Sequence, residues 1–428
     1  QKVVLSENTF FSGEKSQEHY QKGAAEAFEK MREQAKKGLL KEVKRTAKDF
    51  IGIRGEYGTN LPVGELLVYY ENQKSTNCLC ERALNLETGT ATLRTFLEEQ
   101  EIKETIFFFF SDKILVYHIV SEKRMDKVKI SFGPYEGNGI VEYEPTGFTF
   151  EARAEEKMHC GKLCGVCLYG ACLAITDGIC RAAGDGLEIS DALEITFYMT
   201  MATDYENRMQ EQPLERENIG NILKELIKDR LETALSKGWK AIWEVHKRDV
   251  QKLFEASSLH IETKDGQELE NLDFLYQYGR YLLFSSSRED SVLPAHLQGI
   301  WNDNVACRIG WTCDMHLDIN TQMNYWPSEL TGLSETASPL FRWVKALAKE
   351  GELTAKKCYG QKGWVAELVS NSWLFTAPYW AEPIAPCPTG GVWVLSHLWE
   401  HYFYTGDEEF LKMEVYPLMT GAVSFFLN

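Results

Sequence analysis

Two stretches carry residue types whose spacing can do chemistry. Between Leu293 and Glu329 the chain reads LPAHLQGIWNDNVACRIGWTCDMHLDINTQMNYWPSE, with Trp301, Trp311 and Trp326 set among Gln298, Asn302, Asp303, Asn304, Asp314, Asp318, Asn320, Gln322 and Asn324. Indole faces beside carboxamides and carboxylates suit a sugar, whose C–H faces stack on aromatics while its hydroxyls need donors and acceptors. An irregular, well-packed loop is the plainer alternative. The second stretch, GGVWVLSHLWEHYFYTGD at 390–407, holds His397, Glu400 and His401. As an HxxEH pattern it would place two histidines one helical turn apart on a zinc ion, with the glutamate as base. The only acids left downstream for a third ligand are Glu408, Glu409 and Glu414 in one short segment, and crowding by Trp393, Trp399, Tyr402 and Tyr404 suits a carbohydrate cleft better. A packed aromatic helix with satisfied histidines is the remaining reading.

A third group is made of thiols. Of eleven cysteines, Cys160, Cys164, Cys167, Cys172 and Cys180 fall close together beside His159. Cys164 and Cys167 form a CxxC, which is half of a zinc or redox site. Against this, residues 167–173 alternate as a strand, and free cysteine is a common small buried residue, so structural thiols are the preferred reading. The odd count favours a reducing compartment such as the cytoplasm. No secretory signal is visible, but the sequence opens on Gln1, so localisation stays open.

The elements that position these groups follow from periodicity. A chain of 428 residues exceeds one core, and two domains are expected. Residues 1–50 carry helical spacing, with Ala24, Phe28, Met31, Leu39, Leu40, Val43 and Ala47 broadly on one face. From Glu56 short alternating runs take over, punctuated by Gly, Asn, Asp and Pro, and predict a β-sandwich over residues 1–210. The most apolar run, Thr105–Val120, is broken by Ser111, Asp112 and Lys113, and reads as two strands and a turn because a membrane helix needs roughly 20 apolar residues. Residues 211–256 read as charged linker helices, and 257–428 as helices separated by loops rich in Trp, Pro and Asn: a barrel of helices with function at one rim. The fold class expected is α+β multidomain. The net charge of −17 argues against nucleic acid or an anionic membrane as partner and favours a neutral substrate.

Four motifs taken together resemble glycoside hydrolase family 95, the inverting 1,2-α-L-fucosidases: LQGIWND at 297–303, INTQMNYWPSE at 319–329, GWVAE at 363–367 and GGVWVLSHLWEHYFYTGD at 390–407. Weaker echoes are NTFFSGEK near the start, LPVGELLV at 61–68, ALNLETGTAT at 83–92 and ATDY at 202–205. The resemblance implies an N-terminal β-sandwich, a helical linker, an (α/α)6 barrel holding the site and a C-terminal β-domain. Only about half the barrel's helices precede Asn428, and the chain ends on an apolar run, so a partial barrel and a partial chain are expected. The substrate implied is a fucosylated oligosaccharide or plant or host glycan bearing a terminal α-L-fucosyl or related α-L-galactosyl group; no cofactor or metal is implied.

By the same resemblance Glu400 matches the general acid, and Trp393, Trp399 and Tyr402 around it are expected to raise its pKa. The family's N-x-N pair positions the attacking water; Asn320 matches its second member, and Asp318 stands where the first is an amide. The aspartate that polarises that pair is expected beyond Asn428, so the 428-residue chain is expected to be inactive by itself. Trp301, Asn302, His316, Asn324, Trp326, Asn371 and Trp399 are the expected sugar contacts. Two departures bear on specificity: ELVSNSWLF follows GWVA where a His-rich polar segment is usual, and Cys387 and Thr389 replace a tryptophan and a methionine. A glycan-binding relative without turnover is the competing class of function.

Overall fold

The computed structural model describes residues 1–16, 19–71, 79–97, 100–264, 269–303, 311–379 and 386–427; Asn304 and Asn428 lie outside them. The chain forms two compact units. The first comprises Gln1–Phe10, Pro62–Ala154 and Val166–Tyr281, and the second Phe11–Leu61, Glu155–Gly165 and Leu282–Asn428.

Alternation builds the first unit. In Ile114–Pro134 the side chains of Val128, Ile130 and Phe132 are buried, while the intervening Lys127, Lys129 and Ser131 lie nearer solvent, the period of a half-buried strand. Eleven strands form one sheet: β1 (Lys2–Phe11), β2 (Asn60–Tyr70), β3 (Leu79–Asn85), β4 (Thr90–Leu97), β5 (Gln100–Phe109), β6 (Ile114–Pro134), β7 (Gly139–Glu144), β8 (Gly147–Arg153), β9 (Cys167–Thr176), β10 (Ile179–Ala183) and β11 (Gly186–Thr203). The main path runs β3-β4-β5-β6-β11-β9-β8-β7. It branches because two long strands change partner midway. β6 pairs with β5 over Ile114–Ser121 and with β2 over Val128–Pro134; β11 pairs with β9 from Ile195 onward and with β10 over Gly186–Ser190. The β6/β11 register shifts between Ala192 and Glu194, where Asp177 Oδ1 accepts from the N–H groups of Leu193 and Glu194 at 2.9 and 3.0 Å, a bulge with its donors satisfied.

The expected hairpin across Thr105–Val120 is β5 and β6, with Lys113 at φ 56° in the turn. Three strands lay outside the alternating runs of the sequence, β1, β3 and β10; none shows clean alternation in burial, and in such strands ladder pairing decides the conformation rather than a hydrophobic period. The linker helices are real: Arg216–Lys237 ends at Gly238 (φ 73°), which starts Trp239–Glu255. Leu223, Ile227, Leu231 and Ala234 share one face and bury against Phe107, Phe109, Val116, Tyr169 and Tyr198.

The compact units differ from boundaries at 210 and 256. The linker helices cluster with the strands, and residues 11–61 cluster with Leu282–Asn428. The cause is packing. Within the stretch expected to be helical, residues 1–50, the chain forms β1 first and then two helices, Ala24–Lys36 and Leu40–Phe50, separated at Gly38 (φ 70°), and their apolar faces (Ala24, Ala27, Met31, Ala47, Phe50) bury against Ala355, Cys358, Tyr359, Val365 and Phe425. An amphipathic face shows in sequence, but its partner does not. The helices of the second unit include Ser338–Tyr359, Gly390–Val394, Ser396–Thr405 and Tyr416–Leu427. The continuous stretch Glu408–Leu427 is long and apolar enough to cross a membrane by length and composition alone, at mean hydropathy 1.2; its Phe425 packs in the core just described.

Candidate active site

The aromatic-amide stretch is locked at its centre by a short ladder. Met315 and His316 pair with Ser370 and Val369, and Leu317 N–H donates to Leu368 C=O at 2.8 Å. This fixes Asp318 just before the helix Asn320–Tyr325, whose continuation Pro327–Leu330 carries Glu329. Gln322 Nε2 donates back to Leu317 C=O at 2.8 Å, Asn324 Nδ2 to His296 C=O at 3.1 Å, and Tyr325 OH accepts from Ala295 N–H at 2.8 Å. Asp318 Oδ1, Gln322 Oε1, His296 Nε2 and His397 Nε2 are buried without a hydrogen-bond partner. Such atoms each cost about 1–3 kcal/mol, and these four lie on neighbouring segments.

Asp314, fully buried, organises the stretch from behind. Its Oδ2 accepts from Tyr57 OH (2.8 Å) and Thr312 Oγ1 (2.6 Å), and its Oδ1 lies 2.9 Å from His316 Nε2. Burial works to lower the His316 pKa, but the Asp314 hydrogen bond and charge, with Asp318 adding, hold it above the usual imidazole value. His316 is thereby oriented and tends toward the charged form.

Glu400 sits on Ser396–Thr405, its side chain 44% exposed, with Oε2 3.8 Å from His397 Nδ1. Its pKa is raised, first by partial burial and then by the negative charge of Glu329. Glu329 is driven the other way. Burial would raise it, but His401 Nδ1 at 2.7 Å from Oε1 and the Ser334 hydroxyl donating to Oε2 at 2.5 Å outweigh that and hold it ionised. Two neighbouring carboxyls with pKa values pushed apart are the arrangement that keeps one protonated for acid catalysis. The tryptophans expected to desolvate Glu400 stand open themselves, Trp393 38% and Trp399 45% exposed, and Glu329 supplies a cause that the sequence reading lacked.

The expected sugar contacts divide. Trp301, Trp326 and Trp399 are each about 45% exposed, and Trp311 is 54% exposed, leaving ring faces available for stacking. Asn302 and Asn371 are buried instead: Asn302 Nδ2 donates to Asn60 C=O at 2.6 Å, while Asn371 Nδ2 donates to Tyr57 C=O at 2.7 Å and its Oδ1 accepts from Trp373 and Phe375 N–H at 3.1 Å each. Asn371 is thus a backbone brace rather than a free sugar contact. Asn324 holds His296, and His316 holds Asp314, each with one edge engaged.

Glu367 was not singled out from the sequence. It is fully buried, takes hydrogen bonds from Tyr359 OH and from Cys387 N–H (2.6 Å), and burial pushes its pKa up to about 7. The signal was present as a lone glutamate within the apolar GWVAEL.

The zinc reading of His397 and His401 is weakened by geometry, since His401 turns to Glu329 and packs on Phe341 and Phe410. Among the described residues, the three ligand-type side chains within 4.8 Å of one another are Glu56, Cys160 and Cys164. The CxxC does not pair: Cys167 is buried in the core of the sheet, and Cys164 lies with Cys160.

Comparison with known proteins bears on both halves of the chain. Residues 1–208 match the glycosyl hydrolase family 65 N-terminal domain, and residues 238–428 the glycosyl hydrolase family 95 catalytic domain. Alpha-L-fucosidase 2 of Arabidopsis thaliana is 41% identical over 221 residues, 47% of this chain and 26% of that protein. Probable alpha-fucosidase A of Aspergillus niger is 32% identical over 215 residues, 46% of this chain and 26% of that protein; its Aspergillus oryzae counterpart is 26% identical over 71% of this chain and 44% of that protein. The chain therefore spans less than half the length of the curated relatives it matches. A solved structure described as a kojibiose phosphorylase from the human microbiome shares the fold over 86% of this chain and 48% of its own, at TM-score 0.59 and 11% identity. The match to the glycosyl hydrolase family 95 catalytic domain falls on the segments that carry Asp318, Asn320, Glu329 and Glu400.

Proposed function

We propose that this chain contributes the acid and sugar-binding part of a glycoside hydrolase that releases terminal α-L-fucosyl, or related α-L-galactosyl, groups from glycans with inversion. The supporting observation is the carboxyl pair, in which Glu400 has a raised pKa beside the ionised Glu329, with open indole faces on the same segments. Glu400 protonates the leaving oxygen, and Asn320 and Asp318 hold the water on the opposite face of the sugar. Asp318 Oδ1, buried and without a partner, supplies acceptor capacity for that water. The strands form a β-sandwich and the helices of the second unit part of an (α/α)6 barrel in this reading.

A glycan-binding role without turnover is favoured by one feature only, the carboxyl of Asp318 in place of an amide. One variant separates the two. Glu400→Gln in the full-length protein should cut hydrolysis of natural fucosides by several orders of magnitude, and of fucosides with good leaving groups far less, because these need little protonation. Equal loss on both substrate types removes Glu400 as the acid, and sugar binding without turnover by the unmutated full-length protein favours the second role.

A further inference from the structure

The segment 155–165 leaves the strands between β8 and β9 and forms a cysteine-bearing loop in the second unit. Both limbs are tied down. Glu156 Oε2 accepts from the N–H groups of Met158 (2.5 Å) and His159 (2.9 Å), and its Oε1 from Ser12 Oγ (3.0 Å). On the other limb Gly13 N–H donates to Cys164 C=O at 3.0 Å, and Ser12 bridges to Gly165. The neighbouring strip that presents Glu56 is held so close that only glycine fits. A Cβ on Gly13 would stand 2.4 Å from Glu56 O, and one on Gly58 1.9 Å from Ser12 O.

This framework brings the Sγ atoms of Cys160 and Cys164 and a carboxylate oxygen of Glu56 within 4.8 Å of one another, with Cys164 Sγ 3.9 Å from Glu56 Oε2. Around a tetrahedral zinc, with bonds of roughly 2.0–2.3 Å, ligand atoms stand about 3.5–3.8 Å apart. The preformed group needs to close by only about an ångström at most. The carboxylate is oriented from outside by Lys162 N–H, which donates to Glu56 Oε2 at 3.1 Å, the outer support that ligating carboxylates have in metal sites. A fourth position has a candidate beside it. His159 Nε2 is buried without a hydrogen-bond partner, and His159 lines, with Cys160, Gly161, Arg54, Tyr57 and Tyr379, a cleft of about 470 Å³.

We propose that Cys160, Cys164 and Glu56 form a structural zinc site, completed by His159 or water, that staples the 155–165 loop to the 11–61 segment. Two thiolates select a soft or borderline cation over calcium or magnesium. On binding, each thiol gives its proton to solvent and its lone pair to the metal, with no change of oxidation state. The site is separate from Glu400 and stands whatever that residue does.

The purified full chain, reduced and stripped with a chelator, should take up one equivalent of Co2+, developing a near-ultraviolet thiolate-to-cobalt band and visible bands of tetrahedral intensity. Zn2+ should displace the cobalt and raise the midpoint of thermal unfolding. Cys160→Ser and Cys164→Ser should each diminish the thiolate band, and Glu56→Gln should weaken binding tenfold or more while leaving that band in place. The exposed Cys80 provides the control, since Cys80→Ser should change nothing. If a cysteine variant fails to fold, Glu56→Gln still decides through its affinity. The proposal is overturned by absence of a thiolate band in reduced protein, by a band that persists in both cysteine variants, by unchanged affinity in Glu56→Gln, or by a Cys160–Cys164 disulfide that survives reduction.

Discussion

The strands of the first unit and the segment around Asp318 treat buried polarity in opposite ways. Along β2 to β11 within the first unit, no described buried side-chain polar atom lacks a partner. Glu104 is fully buried there, yet Tyr70 OH donates to its Oε1 at 2.9 Å and Tyr117 OH to its Oε2; His118 Nδ1 lies 3.0 Å from Thr196 Oγ1. Between Leu293 and Glu329, by contrast, His296, Asp318 and Gln322 each bury an atom that nothing in the described protein satisfies. Folding alone selects complete networks, since a half-satisfied one is worse than an apolar core. Under the proposed function, this unmet capacity is what a bound sugar and its water take up.

The contrast is most sharply broken from the satisfied side. Glu104→Ala should strand two tyrosine hydroxyls in the sheet and cost about 3 kcal/mol or more of stability. Turnover per folded molecule should stay as it was. Urea unfolding monitored beside the proposed fucoside hydrolysis in the full-length protein checks both, and a parallel loss of turnover in the folded fraction would tie the sheet to catalysis.

Titration of the second unit gives effects of similar size with opposite slopes. His296 and His397 are pushed by burial from 6.5 down to about 4, so their stabilisation is complete above 6.5 and is lost as pH falls toward and through 4. The difference of about 2.5 units corresponds to about 3 kcal/mol for each. Glu367, raised from 4.5 to about 7, contributes stability that is complete below 4.5 and is lost as pH rises through 7. His397→Gln should therefore flatten the acid limb of the stability profile, and Glu367→Gln should remove the decline between 4.5 and 7. Unchanged slopes in both would mean that these groups ionise alike in folded and unfolded chains.

A smaller effect is expected at the orphaned carboxyl. Asp318→Asn removes a charge whose Oδ1 is buried without a partner and should gain about 1 kcal/mol of stability while turnover falls steeply. Higher turnover instead would identify the carboxyl as a degenerate replacement of the amide. Function held against stability in this way is common at sites, where local optimisation is given up.

Much of this was legible in sequence because period and punctuation act locally. The β5/β6 hairpin, the linker helices within residues 211–256 and the helical stretch that became Ser338–Tyr359 follow from alternation and 3.6-residue spacing. Which surface covers an amphipathic face is a long-range fact, and so the two helices between Ala24 and Phe50 appeared beside the strands in sequence while they pack on Tyr359 and Phe425 in space. The candidate site divides along the same line. Glu400, Asp318, Asn320 and the open tryptophans came from motif chemistry. The bracing role of Asn371 and the partnership of Glu329 with His401 depend on contacts separated by 72 residues or more, 314 from Asn371 to Tyr57.

The smallest effect tests that last partnership. Glu329 is ionised because His401 and Ser334 hold it, and its charge is the second cause, after burial, of the raised Glu400 pKa. Glu329→Gln keeps the shape and removes the charge, so the Glu400 pKa should fall toward its ordinary value. A general acid works only while protonated, and the alkaline limb of the kcat/KM profile should therefore move to lower pH, with little change at acid pH. Because Glu400 is nearly half exposed, solvent screens the pair and the displacement should be small and shrink further with added salt. His401→Ala weakens the hold on Glu329 without deleting its charge, and should move the limb in the same direction by less. A limb that stays fixed in Glu329→Gln while kcat drops uniformly would make Glu329 a brace for the helix and leave burial alone to keep Glu400 protonated.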